Sequence, residues 1–251
     1  MDVRDVTFSV VSHRQGALLQ DLIDDLIALR PPRLKRVVVT LNVAESFEPP
    51  RDDAFEVLLR RNKVPMGFGA NHNRAFALCE TGVFVVSNPD IRLLTDPFPE
   101  LTHALELGVG IAAPAVRARD GRLEDSARQL LTPIDVLLRR LGASRTDFER
   151  PAWVAGMFMA FRADVFRKLG GFDEKFHMYC EDADICARAV IAGSEIAFCP
   201  DAEVVHEARR ASRRALRPLY WHTRSLLQFW VSPVFWRYRR LLINRRRATS
   251  G

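Results

Sequence analysis

Val6-Thr7-Phe8-Ser9-Val10-Val11-Ser12 is followed, three residues later, by Gly16-Ala17-Leu18-Leu19-Gln20-Asp21-Leu22-Ile23-Asp24-Asp25-Leu26-Ile27-Ala28-Leu29-Arg30 and then Pro31-Pro32. The first stretch is a short β-branched apolar run of the kind that forms a strand buried on both faces. In the second the period changes. Leu18, Leu19, Leu22, Ile23, Leu26 and Ile27 fall at helical spacing, with Asp21, Asp24 and Asp25 on the opposite side. Two prolines then end the helix, because neither can donate a backbone hydrogen bond. A buried strand feeding a one-sided helix is the start of a βαβ unit.

The alternation continues outward from there. Arg36 to Asn42 reads as a second strand, Phe55 to Arg61 as a third, Asn71 to Glu80 as a helix and Val83 to Ser87 as a fourth strand. A helix is expected near Pro97 to Leu107 and a strand at Val109 to Ala113. Trp153 to Phe161 reads as a strand, Glu181 to Ala192 as a helix, and Glu195 to Cys199 and Ala202 to His206 as two short strands. Arg117 to Arg150 is polar and irregular around one apolar helix near Ile134 to Leu141. So long a segment in a compact domain is expected to lie over a site. The rhythm predicts an α/β fold: a Rossmann-like, mostly parallel central sheet with helices on both faces.

The chain has 251 residues, 48% of them hydrophobic and 27% charged, which is ample for a substantial core. Its formal net charge of +6 is unevenly placed: from Arg209 to Arg247 there are twelve Arg and no Asp or Glu. We therefore expect one domain over residues 1–208 and a basic, amphipathic helical tail over 209–251. Within the tail, Leu226, Leu227, Phe229, Trp230, Val231, Val234, Phe235 and Trp236 lie between basic residues. Such a segment suits an anionic membrane surface. It equally suits packing on the domain or a homodimer contact. Cys79, Cys180, Cys186 and Cys199 form no CxxC pair and read as free thiols in a reducing compartment. Met1-Asp2-Val3-Arg4-Asp5 lacks a signal-peptide core, and no stretch reaches the roughly 18 apolar residues of a membrane span. The expected location is cytoplasmic, peripheral on the inner face of the plasma membrane.

Open α/β sheets bind ligands beyond the carboxyl ends of their strands. Those ends here are Ser12-His13, Asn42, Asn62, Asn88-Pro89-Asp90, the Gly170 to Asp184 segment and His206. Asn88-Pro89-Asp90 offers a carboxylate that could hold a divalent cation, though the same tripeptide is ordinary turn chemistry. Between Asp173 and Asp184, acids lie among aromatics, which raises carboxyl pKa values and suits a general base. Acids also favour the first turn of a helix. Glu181 and Asp184 can serve that helix start while Asp182 points at a substrate. His206-Glu207 ends a strand and reads either as a structural histidine or as a metal ligand suited to Mg or Mn. Gly67 and Gly69 permit a tight backbone just before a helix N-terminus, which favours anions, and equally suit a βα loop that needs flexible glycines.

Taken together, these pieces resemble family 2 glycosyltransferases with the GT-A fold, and within them the bacterial rhamnosyltransferase-like branch that builds surface polysaccharide. The resemblance runs from about Val6 to Phe229. It is carried best by Trp153-Val154-Ala155-Gly156-Met157-Phe158-Met159-Ala160-Phe161-Arg162, Gly170-Gly171-Phe172-Asp173-Glu174 and Met178-Tyr179-Cys180-Glu181-Asp182-Ala183-Asp184-Ile185-Cys186-Ala187-Arg188. By that resemblance Asp182, paired with Glu181, is the catalytic base. Asp90 matches the last acid of the family's DxD motif, with Asn88 replacing the first. His206 matches a histidine that completes the metal site in some members, so Asp90 and His206 are the expected ligands of Mg or Mn. Ser12, His13, Asn42, Asn62, Gly67, Gly69, Asn71, Asn88 and Asp90 are the expected nucleotide-sugar contacts. Trp153, Gly156 and Asp173 are expected at the acceptor or sugar pocket, with packing the other reading of Trp153. One departure stands out: many members carry an Asp after the second strand, whereas this chain reads Val39-Thr40-Leu41-Asn42-Val43.

The implied reaction is an inverting displacement. A sugar, rhamnose by resemblance alone, passes from a nucleoside diphosphate to a hydroxyl of a glycan or polyprenyl-linked glycan. Two other readings are weighed against it. A family member that binds nucleotide sugar without catalysis conflicts with the intact Glu181-Asp182 pair and Asp90. A nucleic-acid-binding protein would draw on the Arg-rich end, but the acidic segment from Asp173 to Asp184 would face phosphate poorly, so no nucleic-acid partner is expected.

Overall fold

The computed structural model describes residues 3–50, 53–130, 132–133, 151–207 and 216–249. The helix expected near Ile134 to Leu141 lies outside them. An eight-stranded sheet forms the centre of the molecule. In chain order its strands are β1 (Val6–Ser12), β2 (Leu34–Leu41), β3 (Glu56–Arg61), β4 (Val83–Ser87), β5 (Ile91–Arg92), β6 (Val109–Ala118), β9 (Phe158–Arg162) and β10 (Glu195–His206). They are arranged β3-β2-β1-β4-β9-β6-β10-β5. Strands β3, β2, β1 and β4 are parallel, as are β6 and β10, whereas β9 runs antiparallel between β4 and β6 and β5 runs antiparallel along β10. Strands β7 (Ala127–Arg128) and β8 (Trp153–Val154) form a separate antiparallel ribbon.

Alternation along the strands sends side chains to two apolar layers. Val37, Val39, Val83 and Val85 join the core under α1 (Gly16–Leu29) and α3 (Phe98–Glu106), while Val38, Phe84 and Val86 join the core on the other face. That second layer holds α2 (Phe68–Phe76), α4 (Ala163–Lys168) and α5 (Glu181–Ile191). The rings of Phe76, Phe84, Phe161, Phe166 and Phe172 lie 4.6 to 5.9 Å apart in tilted or edge-on pairs. Each such pair adds about 0.5–1.5 kcal/mol beyond area burial.

The expected rhythm holds, with differences among the expected strands. The strand expected over Trp153 to Phe161 is broken at Ala155-Gly156-Met157 into β8 and β9, which belong to different sheets. The two short strands near the end are one strand, β10, whose register against β6 shifts between Cys199 and Glu203. The described part of the tail packs on the domain, one of the readings the sequence left open. Leu226 and Phe229 of α6 (Leu216–Val231), with Phe235 and Tyr238 of α7 (Pro233–Thr249), are at most 5% exposed and belong to the same core as α5. Tyr238 donates its hydroxyl to the Ala152 carbonyl at 2.6 Å. Burial of each such side chain contributes about 1.5–3 kcal/mol, so α6 and α7 are held to the domain. The cysteines are free, and all but the half-buried Cys79 are buried.

His72 on α2 is fully buried, with Nδ1 2.8 Å from Ser9 Oγ and Nε2 without a partner. Burial pushes its imidazole down from 6.5 to about 3. The unfolded chain takes up a proton below about pH 6.5 that the native state refuses, so stability is lost as pH falls through that range. We expect this group alone to cost about 2 kcal/mol between pH 7.5 and pH 5. Denaturant midpoints measured across that range check it: His72→Asn, which keeps a polar atom near Ser9, should flatten this part of the profile.

Candidate active site

The parallel strands β1 and β4 end side by side, since Val10 is paired with Ser87. Beyond those ends opens a cleft of about 400 Å³ lined by Val11, His13, Gln15, Asn42, Pro65, Met66, Phe68, Asn71, Ser87, Asn88, Pro89, Asp90, His177 and Met178. Five of the expected nucleotide-sugar contacts, His13, Asn42, Asn71, Asn88 and Asp90, are thus on one wall system.

The asparagines build that wall. Asn42 Oδ1 accepts from Asn62 Nδ2 at 2.9 Å and from the Met66 N–H at 2.8 Å, and its Nδ2 donates to the Met66 carbonyl at 2.9 Å. Asn62 Nδ2 also donates to Asn71 Oδ1, while Asn71 Nδ2 donates to the Gly67 carbonyl at 2.9 Å. With these bonds made, Asn42 and Asn62 fix the loop from residue 62 to 67. Ser12 is fully buried and donates Oγ to Glu45 at 2.9 Å, so it holds the turn after β1 from beneath. Gly67 and Gly69 are required for close approach. A Cβ on Gly67 would lie 2.6 Å from the His177 carbonyl oxygen, and one on Gly69 would lie 2.6 Å from Phe172 Cβ. The Phe68 N–H donates to that same His177 carbonyl at 3.0 Å, closing the loop against the cleft rim.

Asp90 stands at the cleft beside two groups from distant segments. Its Oδ2 is 3.3 Å from His206 Nε2, and His206 Nδ1 is 3.0 Å from Glu124 Oε2. Burial opposes charge on His206, but the hydrogen bonds and charges of Asp90 and Glu124 outweigh it and raise the imidazole to about 9. Asp90 Oδ1 is buried and has no hydrogen-bond partner. An orphaned carboxylate oxygen in a cleft fits a divalent cation, which takes hard oxygen ligands. Among the described residues no group of three or more His, Cys, Asp and Glu could hold a metal ion. Glu124 carries no sequence signal. It arrives here because the chain folds back after β6, where Glu124 N–H donates to the Val116 carbonyl at 2.8 Å and Arg117 bridges to Leu123.

Asp182 lies across the break between β8 and β9. Its Oδ2 accepts from the Gly156 N–H at 2.9 Å and its Oδ1 from the Ala183 N–H at 2.8 Å. The next residue, Met157, accepts through its carbonyl from the Asn88 N–H at 2.9 Å. Gly156 and Met157 therefore tie Asp182 on one side to the Asn88-Pro89-Asp90 turn on the other. Burial raises the Asp182 carboxyl above the usual carboxylate range, against the two backbone N–H groups and nearby Arg128, which lower it. Glu181 is 6% exposed, with Oε2 unpartnered; burial and then the neighbouring Asp182 push it well up. Asp184 is paired with Arg188 at 2.6 Å and serves the helix. Just before α5, Tyr179 and Cys180 take φ values of +71° and +66°. A non-glycine residue in that region costs on the order of 1–3 kcal/mol, and two in succession mark a backbone held in place by its surroundings.

Like Gly156, Glu181 and Asp182, the expected pocket residues Trp153 and Asp173 are not among the residues that line the cleft. Trp153 is 4% exposed, donates Nε1 to the Gln129 carbonyl at 2.8 Å and stacks under Arg128; it packs the β7–β8 ribbon and does not line the cleft. Asp173 sits in a separate open depression with Asn73, Gly171 and Arg188, where its carboxylate caps the Lys175 N–H. The acids of the Asp173 to Asp184 segment thus divide, because the Phe172 and Phe176 side chains that anchor it point into the core between them.

Comparison with known proteins agrees with this architecture. Residues 4–220 match the family model described as glycosyltransferase like family 2. The rhamnosyltransferase WbbL of Escherichia coli K12 is 33% identical over 183 residues, which cover 65% of this chain and 69% of that protein. The N-acetylglucosaminyl-diphospho-decaprenol L-rhamnosyltransferase of Mycobacterium tuberculosis H37Rv is 29% identical over 182 residues, or 62% of this chain and 59% of that one. Among solved structures, GalNAc-T7 with UDP, GalNAc and Mn2+ superposes with a TM-score of 0.62 at 17% identity, covering 82% of this chain and 44% of that one. The mannosyltransferase PcManGT of Pyrobaculum calidifontis, in complex with GDP-Man and Mn2+, gives 0.57 at 16% identity over 84% of this chain and 59% of that one. These likenesses show the GT-A fold.

Proposed function

Because the chain belongs to the family 2 glycosyltransferases, we propose that it moves a sugar, rhamnose in the first instance, from a nucleoside-diphosphate donor to a hydroxyl of a glycan or polyprenyl-linked glycan, with inversion at the anomeric carbon. The observation that carries this reading is the Gly156-Met157 link, which sets the Asp182 carboxylate and the Asn88–Asp90 turn on either side of one backbone segment. Rhamnose and the lipid carrier are supported by what the relatives are named for, a rhamnosyl transfer and a decaprenol acceptor.

In this reading the wall from residue 62 to 71 receives the nucleoside and the turn at Asn88 to Asp90 receives the diphosphate. Asp90 would hold a divalent cation, with His206 joining it by giving up its Nε2 proton, and the cation would supply compensation for the negative charge that grows on the departing diphosphate. Asp182 accepts the acceptor's hydroxyl proton as that oxygen attacks the face of the sugar opposite the leaving group, and inversion follows from the in-line geometry. A base works best when its pKa lies near the working pH, so the upward displacement of Asp182 by burial assists the proton transfer. The N–H groups of Gly156 and Ala183 aim the carboxylate.

Glu124 is a positioning residue in this scheme. By binding His206 Nδ1–H it leaves Nε2 facing Asp90. Outer partners of this kind typically change metal affinity about 10- to 100-fold. A titration of nucleoside diphosphate in the presence of Mn2+ should therefore show the Glu124→Ala variant weakened within that range, while wild-type protein binds donor far more weakly when the metal is chelated. Metal-independent binding of equal strength would remove Asp90 and His206 from the scheme. Release of α-linked or β-linked product of the same configuration as the donor would remove the single displacement.

A further inference from the structure

The two C-terminal helices sort their side chains by face. On α6, Ser225, Leu226 and Phe229 are buried, while Tyr220, Arg224, Leu227 and Val231 recur at spacings of four, three and four residues and share the opposite face. On α7, Phe235 and Tyr238 are buried, and Trp236, Arg240, Ile243 and Arg247 repeat the same spacing on the outer face, with exposed Arg239 beside them. Helical phase thus divides the tail's apolar residues between a buried face and an outer one. Of the eleven large hydrophobic side chains exposed among the described residues, six lie on these two helices: Leu219, Tyr220, Leu227, Val231, Trp236 and Ile243. Tyr220, Leu227, Val231 and Trp236 are each more than half exposed.

Charge identifies the occupant. From Arg209 to Arg247 every ionised side chain at neutral pH is Arg. Arg239 lies over the Trp236 ring at 5.6 Å and Arg224 over the Trp221 ring at 5.5 Å, so the cations flank aromatic groups. A second copy meeting this face across a two-fold axis would bring Arg against Arg, which repels. An anionic lipid surface instead accepts both components, phosphates for the guanidinium groups and the headgroup boundary for Trp, Tyr and aliphatic side chains. No described helix is long and apolar enough to cross a membrane, so the contact lies in the interface. The inner side of α6 touches the cleft rim: the Trp221 ring stacks on His177 at 4.4 Å, Ser225 Oγ donates to the Met178 carbonyl at 2.8 Å, and His177 and Met178 line the cleft.

We propose that the outward faces of α6 and α7 form a platform that docks this protein on an anionic lipid surface, with Leu227, Val231, Trp236 and Ile243 at the headgroup boundary and Arg224, Arg239 and Arg240 on lipid phosphates. The platform tethers the domain through α6, whose inner side packs on His177 and Met178 at the cleft rim. It does not depend on the sugar-transfer reading, and vesicle binding is scored without any donor or acceptor.

Co-sedimentation of the full chain with vesicles tests it. The expected result is binding to vesicles of mixed phosphatidylglycerol and phosphatidylcholine, little binding to phosphatidylcholine alone, and weakening as salt is added. Both Leu227→Glu with Trp236→Glu and Arg239→Glu with Arg240→Glu should weaken binding about tenfold or more. These positions are exposed, so thermal melting of the variants should match wild type. Absence of binding to anionic vesicles, equal binding by folded variants, or a solution dimer that the same substitutions dissociate would overturn the proposal.

Discussion

Replacing Asp182 by Asn is expected to lower sugar transfer by about 100- to 10,000-fold, the range a positioned general base supplies, while donor binding persists. The geometry makes the substitution informative. Both carboxylate oxygens accept from backbone N–H groups, one from Gly156 and one from Ala183. An Asn amide has one acceptor oxygen, so its nitrogen faces an N–H donor and one bond is lost. Leaving such a buried donor unpaired costs about 1–3 kcal/mol. Calorimetric titration with nucleoside diphosphate and Mn2+ separates the two effects: a folded variant binds as wild type does while its transfer is lowered by about that factor. As the proposed base, the same carboxylate should set the acid limb of the rate profile. Only its ionised form accepts a proton, and burial raises its pKa, so transfer should fall off at a higher pH than an ordinary carboxylate near 4 would allow.

Replacing Asp90 by Ala is expected to act on binding as well as on turnover. Asp90 brings the orphaned Oδ1 to the cleft and holds His206 through Oδ2. A cation offsetting charge on a leaving diphosphate supplies several kcal/mol, so its loss should reduce transfer by about a thousandfold. In contrast to Asp182→Asn, this variant should lose the dependence of donor affinity on Mn2+. Retention of full Mn2+ dependence in Asp90→Ala would place the ion on other residues.

Most of the fold was legible because the strands are short, apolar and regularly interrupted by one-sided helices. Val6 to Ser12 and Val83 to Ser87 could be read as buried on both faces directly. The break at Ala155-Gly156-Met157 could not be seen, since Trp153 to Phe161 is continuously apolar and the interruption is imposed from outside by Asp182 and Asn88. The cleft residues at strand ends were legible from the general rule for parallel sheets. Glu124 was not, because its role depends on a fold-back that brings it 3.0 Å from a residue 82 positions away. Asp173 shares composition with its acidic neighbours but is turned into another depression by Phe172 and Phe176. In the tail, composition showed basic and aromatic residues together; only helix phase separates the buried Phe229 and Phe235 from the exposed Val231 and Trp236.

Crystals grown with a nucleoside diphosphate and Mn2+, with the ion located by its anomalous scattering, offer the most direct test of a common site for residues 90 and 182. The account predicts a peak bonded to an Asp90 carboxylate oxygen, with the terminal phosphate directed toward the space in front of Asp182. An ion and diphosphate bound away from Asp90, or a terminal phosphate directed away from Asp182, would contradict it.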